Sequence, residues 1–456
     1  MSEISTRFAE YAVCQSEFSE AAYDAAKTFI LDSLGVGIAG SNAPFNEAVF
    51  ETVSSWGQGD AAHLWGRGIK APQASAAYLN GFQIHAMEYD CVHEPAVVHP
   101  MATILAAISS EIDFKGSVTG AEFIEAVIVA VDVAAELGVA VKSPLKFFRP
   151  ATAGLFGATL GIARLRGFDV PTALSAMGCA LAQCAGVMQA HVEGKPTLPV
   201  QIAGAARAAV VACDLAQKGL GGPESALEGP YGYFNMFEDD VDIQSAADNL
   251  GKIHRITEVS WKPFPTGRAA QGGIVLVQKL REQGVSLDNL EQLTLSAPPI
   301  IPRLVDRPIP EDMSANYARL CFPYLAPITL MRGTVNLSDF SEEDLQSQEI
   351  RKAAKKITIE ANDISDPAAF VPQSIKARLK DGTEHSAEIT KLFGSPADPL
   401  TKEQHLEKFE NCVLFGFSSR LSDVKAKTVV NRLIKLIDNL ERLDDCNEIF
   451  SLASGL

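Results

Sequence analysis

The chain has 456 residues, of which 47% are hydrophobic and 21% charged, with a formal net charge of −17. This is globular composition, long enough for two domains with a large core. The acid excess argues against nucleic acid or an anionic membrane as partner, although a local cluster of Lys, Arg and His can still reverse the potential inside a cleft.

No window approaches the roughly 18 continuous apolar residues of a membrane span. The opening MSEISTRFAEYAV lacks the basic-then-apolar order of a signal peptide. The eight cysteines are scattered singly with no CxxC pair, and read as reduced, mostly buried thiols of a cytoplasmic protein.

Ala-rich stretches in the first half carry apolar residues at helical spacing. They predict helices over 18–34, 71–88, 102–112, 120–137, 151–165, 171–188 and 202–218, several of them apolar on most sides and so packed in a bundle. GVGIAG (35–40) fits a dinucleotide-binding glycine pattern, but a helical segment precedes it and the turn GSNAP follows. The fingerprint needs a strand before it and a helix after it, so these glycines are assigned to close helix packing. The small residues of ATAGLFGA (151–158) permit the same close approach.

Past about Gly222 the texture changes to Gly- and Pro-rich turns. LEQLTLSAP, KKITIEAN and SIKARLKDGTEHSAEI alternate apolar with polar residues, and Asp381-Gly382 marks a hairpin. Helices are predicted over 272–282 and 316–332, and charged amphipathic helices over 401–452. The expected architecture is a large all-α domain, residues 1–266 and 396–456, with an inserted smaller α+β domain over 267–395.

Three clusters carry chemistry. In HAMEYDCVHEPAVVHP (85–100), three histidines lie among Glu88, Asp90 and Glu94. It is open to three readings: a metal site, a solvated polar loop, or an acid–base wall. No H-E-x-x-H occurs, and Pro95 interrupts any helix that would join His93 to His99. His85, Glu88 and Tyr89 would share a helix face, and His99-Pro100 would open the next helix, whose N-terminus favours anions. The second cluster is SWKPFPTGRAAQGG (260–273), with Lys262 and Arg268 at a domain junction, read either as a solvated linker or as a cleft wall. The third is YARLCFPY (317–324), with Arg319 and Tyr324 among apolar residues, read either as core or as site.

Taken in order, these blocks resemble the MmgE/PrpD family, which includes 2-methylcitrate dehydratases, cis-aconitate decarboxylases and iminodisuccinate epimerases. NGFQIHAMEYDCVHEPAVVHP, LAQKGLGGPESALEGPYGYF, WKPFPTGRAAQGG and YARLCFPYLAPITLMRGTV are similar to family blocks, and LDSLGVGIAG to its early helix. The resemblance implies a helical domain with a smaller lid, a homodimer, a cleft between the domains, and chemistry beside a carboxylate of a small di- or tricarboxylate without an organic cofactor. Matching positions are His85, Asp90, His99, Lys262, Arg268, Arg319 and Tyr324. The departures are Glu88 and Cys91 in the acidic block, Arg149-Pro150-Ala151 for H-P-T, Leu198 and Gln201 for a lysine and a histidine, and Gln271 for a histidine.

Lost histidines with a retained carboxylate clamp favour simple proton exchange. The expectation is therefore cofactor-independent epimerisation of an amino-dicarboxylate such as iminodisuccinate. The alternatives are a hydro-lyase of the 2-methylcitrate type, a carboxy-lyase on cis-aconitate, and a catalytically dead binding relative. Lys262 with Tyr324 or His99 would transfer protons, and Asp90 and His85 would orient the site. Arg149, Arg268 and Arg319 would hold carboxylates, with Glu88, Gln201 and Gln271 beside them. No metal is expected.

Overall fold

The computed structural model describes residues 3–366 and 368–456. The helical part contains α1 (Glu3–Cys14), α2 (Glu20–Gly40), α3 (Asn46–Ser55), a hairpin of β1 (Ala62–Leu64) and β2 (Ile69–Ala71), α4 (Gln73–His85), α5 (Pro100–Lys115), α6 (Gly120–Val139), α7 (Arg149–Leu165), α8 (Val170–Leu181), the short α9 (Gln189–Glu193), α10 (Thr197–Gln217), α11 (Tyr233–Phe237) and α12 (Ile243–Asn249). The second part runs α13 (Arg268–Glu282), β3 (Leu290–Ala297), α14 (Ile300–Val305), α15 (Ala315–Ala318), α16 (Phe322–Arg332), α17 (Glu342–Gln346), α18 (Gln348–Ala354), β4 (Ile357–Ala361), β5 (Gln373–Leu379) and β6 (Glu384–Ile389). The chain then returns to helices α19 (Lys402–Phe417), α20 (Asp423–Asp438) and α21 (Asn447–Ser454).

Two main apolar cores follow this order. The larger draws on residues from Ile4 to Val259 and from Phe409 to Ala453, so its last helices close what its first helices begin. The smaller draws on Phe264 to Leu392. In the smaller unit the sheet order is β4-β3-β5-β6, with β3 parallel to β4 and the β5–β6 pair antiparallel. Alternation along β5 buries Ile375, Ala377 and Leu379 and exposes Ser374, Lys376 and Arg378, as one covered sheet face requires.

The helices start where local chemistry allows. Thr119 and Glu122 form a capping box on α6, Thr401 and Gln404 another on α19, and Pro100 and Pro150 sit in the first turns of α5 and α7. GVGIAG forms the last turns of α2. A Cβ on Gly40 would stand 2.0 Å from the Gln83 carbonyl oxygen, so helix packing accounts for that glycine.

Several expectations change. The helix over 171–188 stops at Leu181, because the chain leaves it to place the Gly186 carbonyl on the Phe148 amide. The helix over 316–332 is broken at Cys321 into α15 and α16. Helices α1 and α3 and the β1–β2 hairpin were not among the elements expected from the sequence. Helix α10 is long and apolar enough by composition to cross a membrane, contrary to the window reading. Its apolar face packs in the larger core, and the eight cysteines are all free thiols.

Helices α6 and α7 pack through glycine, as the small-residue run of α7 predicts. A Cβ on Gly157 would lie 2.3 Å from the Ala130 carbonyl oxygen and 2.9 Å from the Ala134 Cβ. Gly157→Ala is expected to destabilise the protein by about 1–3 kcal/mol through overpacking. Urea unfolding checks this, and wild-type stability in the variant would contradict it.

Candidate active site

The site is built on the loop that follows α4. The helix stops at His85, and Glu88 adopts a left-handed backbone with φ 52°. Non-glycine residues use that region sparingly, so His85, Glu88 and Tyr89 do not share a helix face as predicted. The loop is instead pinned across the chain. Val92 and Ser260 exchange backbone hydrogen bonds of 3.0 and 2.8 Å, which brings Lys262 beside Glu88 and Asp90. His99 stands at the N-cap position of α5 without a side-chain capping bond, and the Pro100 ring occupies the first turn.

Asp90 is the centre of the cluster. Its Oδ2 accepts from His85 Nδ1 at 3.0 Å and from His99 Nδ1 at 3.1 Å. Lys262 Nζ lies 3.6 Å from Asp90 Oδ1 and donates to Glu88 Oε2 at 2.9 Å. An ionised carboxylate only accepts, so both rings carry their proton on Nδ1 toward Asp90. The two rings touch edge to face with centroids 5.0 Å apart. Lys262 is completely buried, whereas the His99 side chain retains 16% exposure and lines the cavity.

Burial would raise the Asp90 carboxyl, but His85, His99 and Lys262 outweigh it and hold the group well below the usual carboxylate range. Glu88 likewise overcomes burial, mainly through Lys262, and sits at about 2. Burial works to lower His85, yet Asp90 and Glu88 prevail and raise it. For His99 burial comes first and Lys262 adds to it, so this ring lies below the ordinary imidazole value. The two rings share one carboxylate and titrate as a coupled pair, in which His85 is the more basic and His99 the less basic member.

Could the cluster hold a metal? The ligand atoms of His85, Asp90 and His99 all come within 4.8 Å of one another. The Lys262 ammonium already brings a cation to Asp90, so the group reads more simply as a compensated ion-pair network.

The cavity beside it has a volume of about 80 Å³ and is walled by both units. His85, Glu88, Glu94 and His99 face it from the helical part, and Arg268 from α13. Most other lining is apolar, including Val97, Phe148, Met188 and Leu304. Arg268 donates from Nε to Glu94 Oε1 at 2.7 Å, and from Nη1 to Gln271 Oε1 and the Phe393 carbonyl oxygen. Its Nη2 is buried without a partner among the described residues. That is a donor available to an anionic ligand.

The remaining predicted residues are placed elsewhere. Arg149 makes a buried bidentate pair with Glu238 at 2.8 and 3.0 Å, so its charge is already matched. Arg319 donates to the Met87 and Pro265 carbonyl oxygens at 3.1 and 2.9 Å and stacks on Phe340. It positions the two site loops and does not line the cavity. The Tyr324 hydroxyl donates to the Asp339 carbonyl oxygen at 2.7 Å inside the smaller core, and burial first of all raises its proton affinity. Gln201 exchanges hydrogen bonds with the Val187 backbone away from this cavity. Gln271 supports Arg268 and donates to the Phe264 and Thr266 carbonyl oxygens.

Two cavity residues escaped the sequence reading as site residues. Glu94, quoted only as part of the polar run, joins Arg268 to the Ser260 hydroxyl, which it accepts at 2.6 Å. His191 lines the cavity from α9, in a segment, QAHVEGK, that matches no motif. The only signal for it was the scarcity of histidine, eight in the whole chain.

Asp90→Asn removes the charge that supports His85. His85 should then titrate at lower pH, read from its imidazole proton signals by NMR. Stability should fall by about 3–5 kcal/mol, as when one partner of a buried pair is removed. The Asp90 contribution is present above roughly pH 4, and that of His85 is present below roughly pH 6.5 and fades as pH rises through its raised value. Urea unfolding should therefore give the largest deficit between about pH 4 and 6.5. An unchanged His85 titration would contradict the assignment.

The MmgE/PrpD N-terminal domain matches residues 6–246, and the MmgE/PrpD C-terminal domain matches residues 264–432. The chain is 26% identical to the cis-aconitate decarboxylase of Mus musculus, over 94% of this chain and 88% of that protein. It is 25% identical to the Homo sapiens cis-aconitate decarboxylase, over 94% and 89%. It is 24% identical to that of Aspergillus terreus, over 94% and 90%. With both domains matched in order across most of its length, the chain belongs to the MmgE/PrpD family.

Proposed function

We propose that the protein is a carboxy-lyase that removes CO2 from a small unsaturated carboxylate of the cis-aconitate class, with no organic cofactor. The similarity to cis-aconitate decarboxylases over nearly the whole chain supports this reading. The observation that carries it is the sharing of Asp90 Oδ2 by two histidines whose rings are in contact. Both rings therefore lie on one side of the cavity. Epimerisation takes a proton from one face and returns one to the other. Of the two groups expected to partner Lys262 in proton transfer, Tyr324 is tied to Asp339 in the smaller core. Decarboxylation asks for proton delivery from one side only.

In this reading Arg268 Nη2 holds a retained carboxylate. The carbon–carbon bond to the departing carboxylate breaks, and its electron pair moves into the unsaturated framework, stabilised by the held carboxylate. CO2 leaves, and the His85 imidazolium donates its proton to the carbon. His85 then recovers a proton from solvent. The largely apolar lining keeps water from the carbanionic centre.

One observation favours a second reading. Neutral His99, with Nδ1–H committed to Asp90, leaves Nε2 unprotonated as a base. That is what α-proton removal from an amino-dicarboxylate such as iminodisuccinate needs.

The test is proton NMR in heavy water with cis-aconitate, citrate, 2-methylcitrate and single stereoisomers of iminodisuccinate. Loss of CO2 from cis-aconitate with deuterium incorporated at one carbon is the expected result. Diastereomer conversion of iminodisuccinate without a vinyl signal would replace it with the epimerase. A vinyl product from a hydroxy acid would make the protein a hydro-lyase. For the reacting substrate, Arg268→Met should raise KM about tenfold or more, matching the loss of one charge-assisted hydrogen bond. His99→Gln and His85→Gln should each lower kcat about 100-fold or more if they move protons.

A further inference from the structure

The charges around the cavity nearly cancel. Lys262 is matched by Glu88 and Asp90, Arg268 by Glu94, and Arg149 by Glu238. A polyanionic substrate therefore needs a cation that the protein has not already neutralised. Arg307, at the end of α14, meets that need. It is 8% exposed, and among the described residues it makes no direct hydrogen bond to a carboxylate, Glu88 acting on it only through its charge. Its Nε donates to the Leu304 carbonyl oxygen at 3.2 Å, its guanidinium stands 5.4 Å from the Tyr317 ring centroid, and Nη1 is buried without a partner among the described residues. A buried cation left this way is costly unless a ligand compensates it.

Arg307 reaches the cavity through His191. Its Nη2 donates to His191 Nδ1 at 3.1 Å, joining the smaller unit to α9. A guanidinium cannot accept, so His191 Nδ1 must, and the ring's proton sits on Nε2. Among the described residues Nε2 has no hydrogen-bond partner. Burial first, and then Arg307, lower this ring to about 4, so it is a neutral donor at ordinary pH; Glu88, Arg303 and His85 also act on it.

The geometry of the space points the same way. The inner chamber of about 80 Å³ is well below the several hundred Å³ usual for ligand sites. It shares His191, Val97, Leu145, Met188 and Leu304 with an outer hollow of about 230 Å³. A di- or tricarboxylate whose reacting carbon sits at the histidine pair must extend past His191.

We propose that His191 binds the substrate carboxylate remote from His99 by donating from Nε2, and that Arg307 is the positioning residue that fixes its tautomer and supplies the compensating charge. This rests on the reading of the cavity as a carboxylate site. It assigns the enzyme to substrates with at least two well-separated carboxylates.

Calorimetry with tricarballylate, a saturated and unreactive tricarboxylate, tests it without turnover. His191→Phe and Arg307→Met should each weaken binding about tenfold or more, whereas His191→Gln, which keeps a donor near the Nε2 position, should stay within about threefold. In the wild-type protein, nitrogen-15 NMR of the imidazoles should find His191 as the Nε2–H tautomer from pH 5.5 to 8, whatever the variants do to folding. Wild-type affinity in His191→Phe, with weakened binding in Arg268→Met, would overturn the anchor and leave the carboxylate site standing. A His191 found as the Nδ1–H tautomer would also overturn it. No binding of tricarballylate to the wild type would overturn both.

Discussion

A single buried carboxylate organises the molecule's working face. Asp90 lies where an isolated charge would be costly, and it is sustained by two imidazole donors and a nearby ammonium. Those three partners come from the end of α4, the start of α5 and a segment more than 150 residues further on. Satisfying one charge therefore requires that two local segments and one distant segment of chain arrive in register. The same cluster makes its two histidines unequal, since Asp90 and Glu88 raise His85 while burial and Lys262 lower His99.

Around this centre, cations on backbone carbonyls replace the regular hydrogen bonding that an irregular loop lacks. Arg319 takes the Met87 and Pro265 oxygens, and Lys408 takes the Tyr89 oxygen while pairing with Asp32 at 2.8 Å. The loop thus borrows rigidity from both cores. This explains why a residue can fit a family's pattern and still not touch the cavity. Arg319 matches its block because the loops need it.

The fold was largely legible in the sequence. Apolar periodicity located most of the helices of the larger core, and alternation with Asp381-Gly382 located the β5–β6 hairpin. The break between the two cores falls between Val259 and Phe264. The polar run from His85 to His99 stood out in the sequence, but its geometry did not. A helix was expected through Glu88, and the left-handed turn there answers to Lys262, which local propensity cannot see. Arg149 illustrates the same limit. Its partner Glu238 lies 89 positions away, so spacing alone could not distinguish a cation awaiting substrate from one already paired. His191 gains its significance only from Arg307 across the cleft.

The chain path of the larger core has a consequence for biogenesis. That core is discontinuous, and Lys408 of α19 supplies the cation for Asp32 and the donor for Tyr89. The smaller core is a contiguous stretch. During synthesis the smaller unit can complete itself while the earlier helices still expose the surface reserved for α19. The order of maturation then runs against the order of translation, with the N-terminal part finished last. Until the final helices emerge, the buried Asp32 has no counter-ion and a broad Ala-rich surface remains open, which is the interval when a holding chaperone would matter most to this protein.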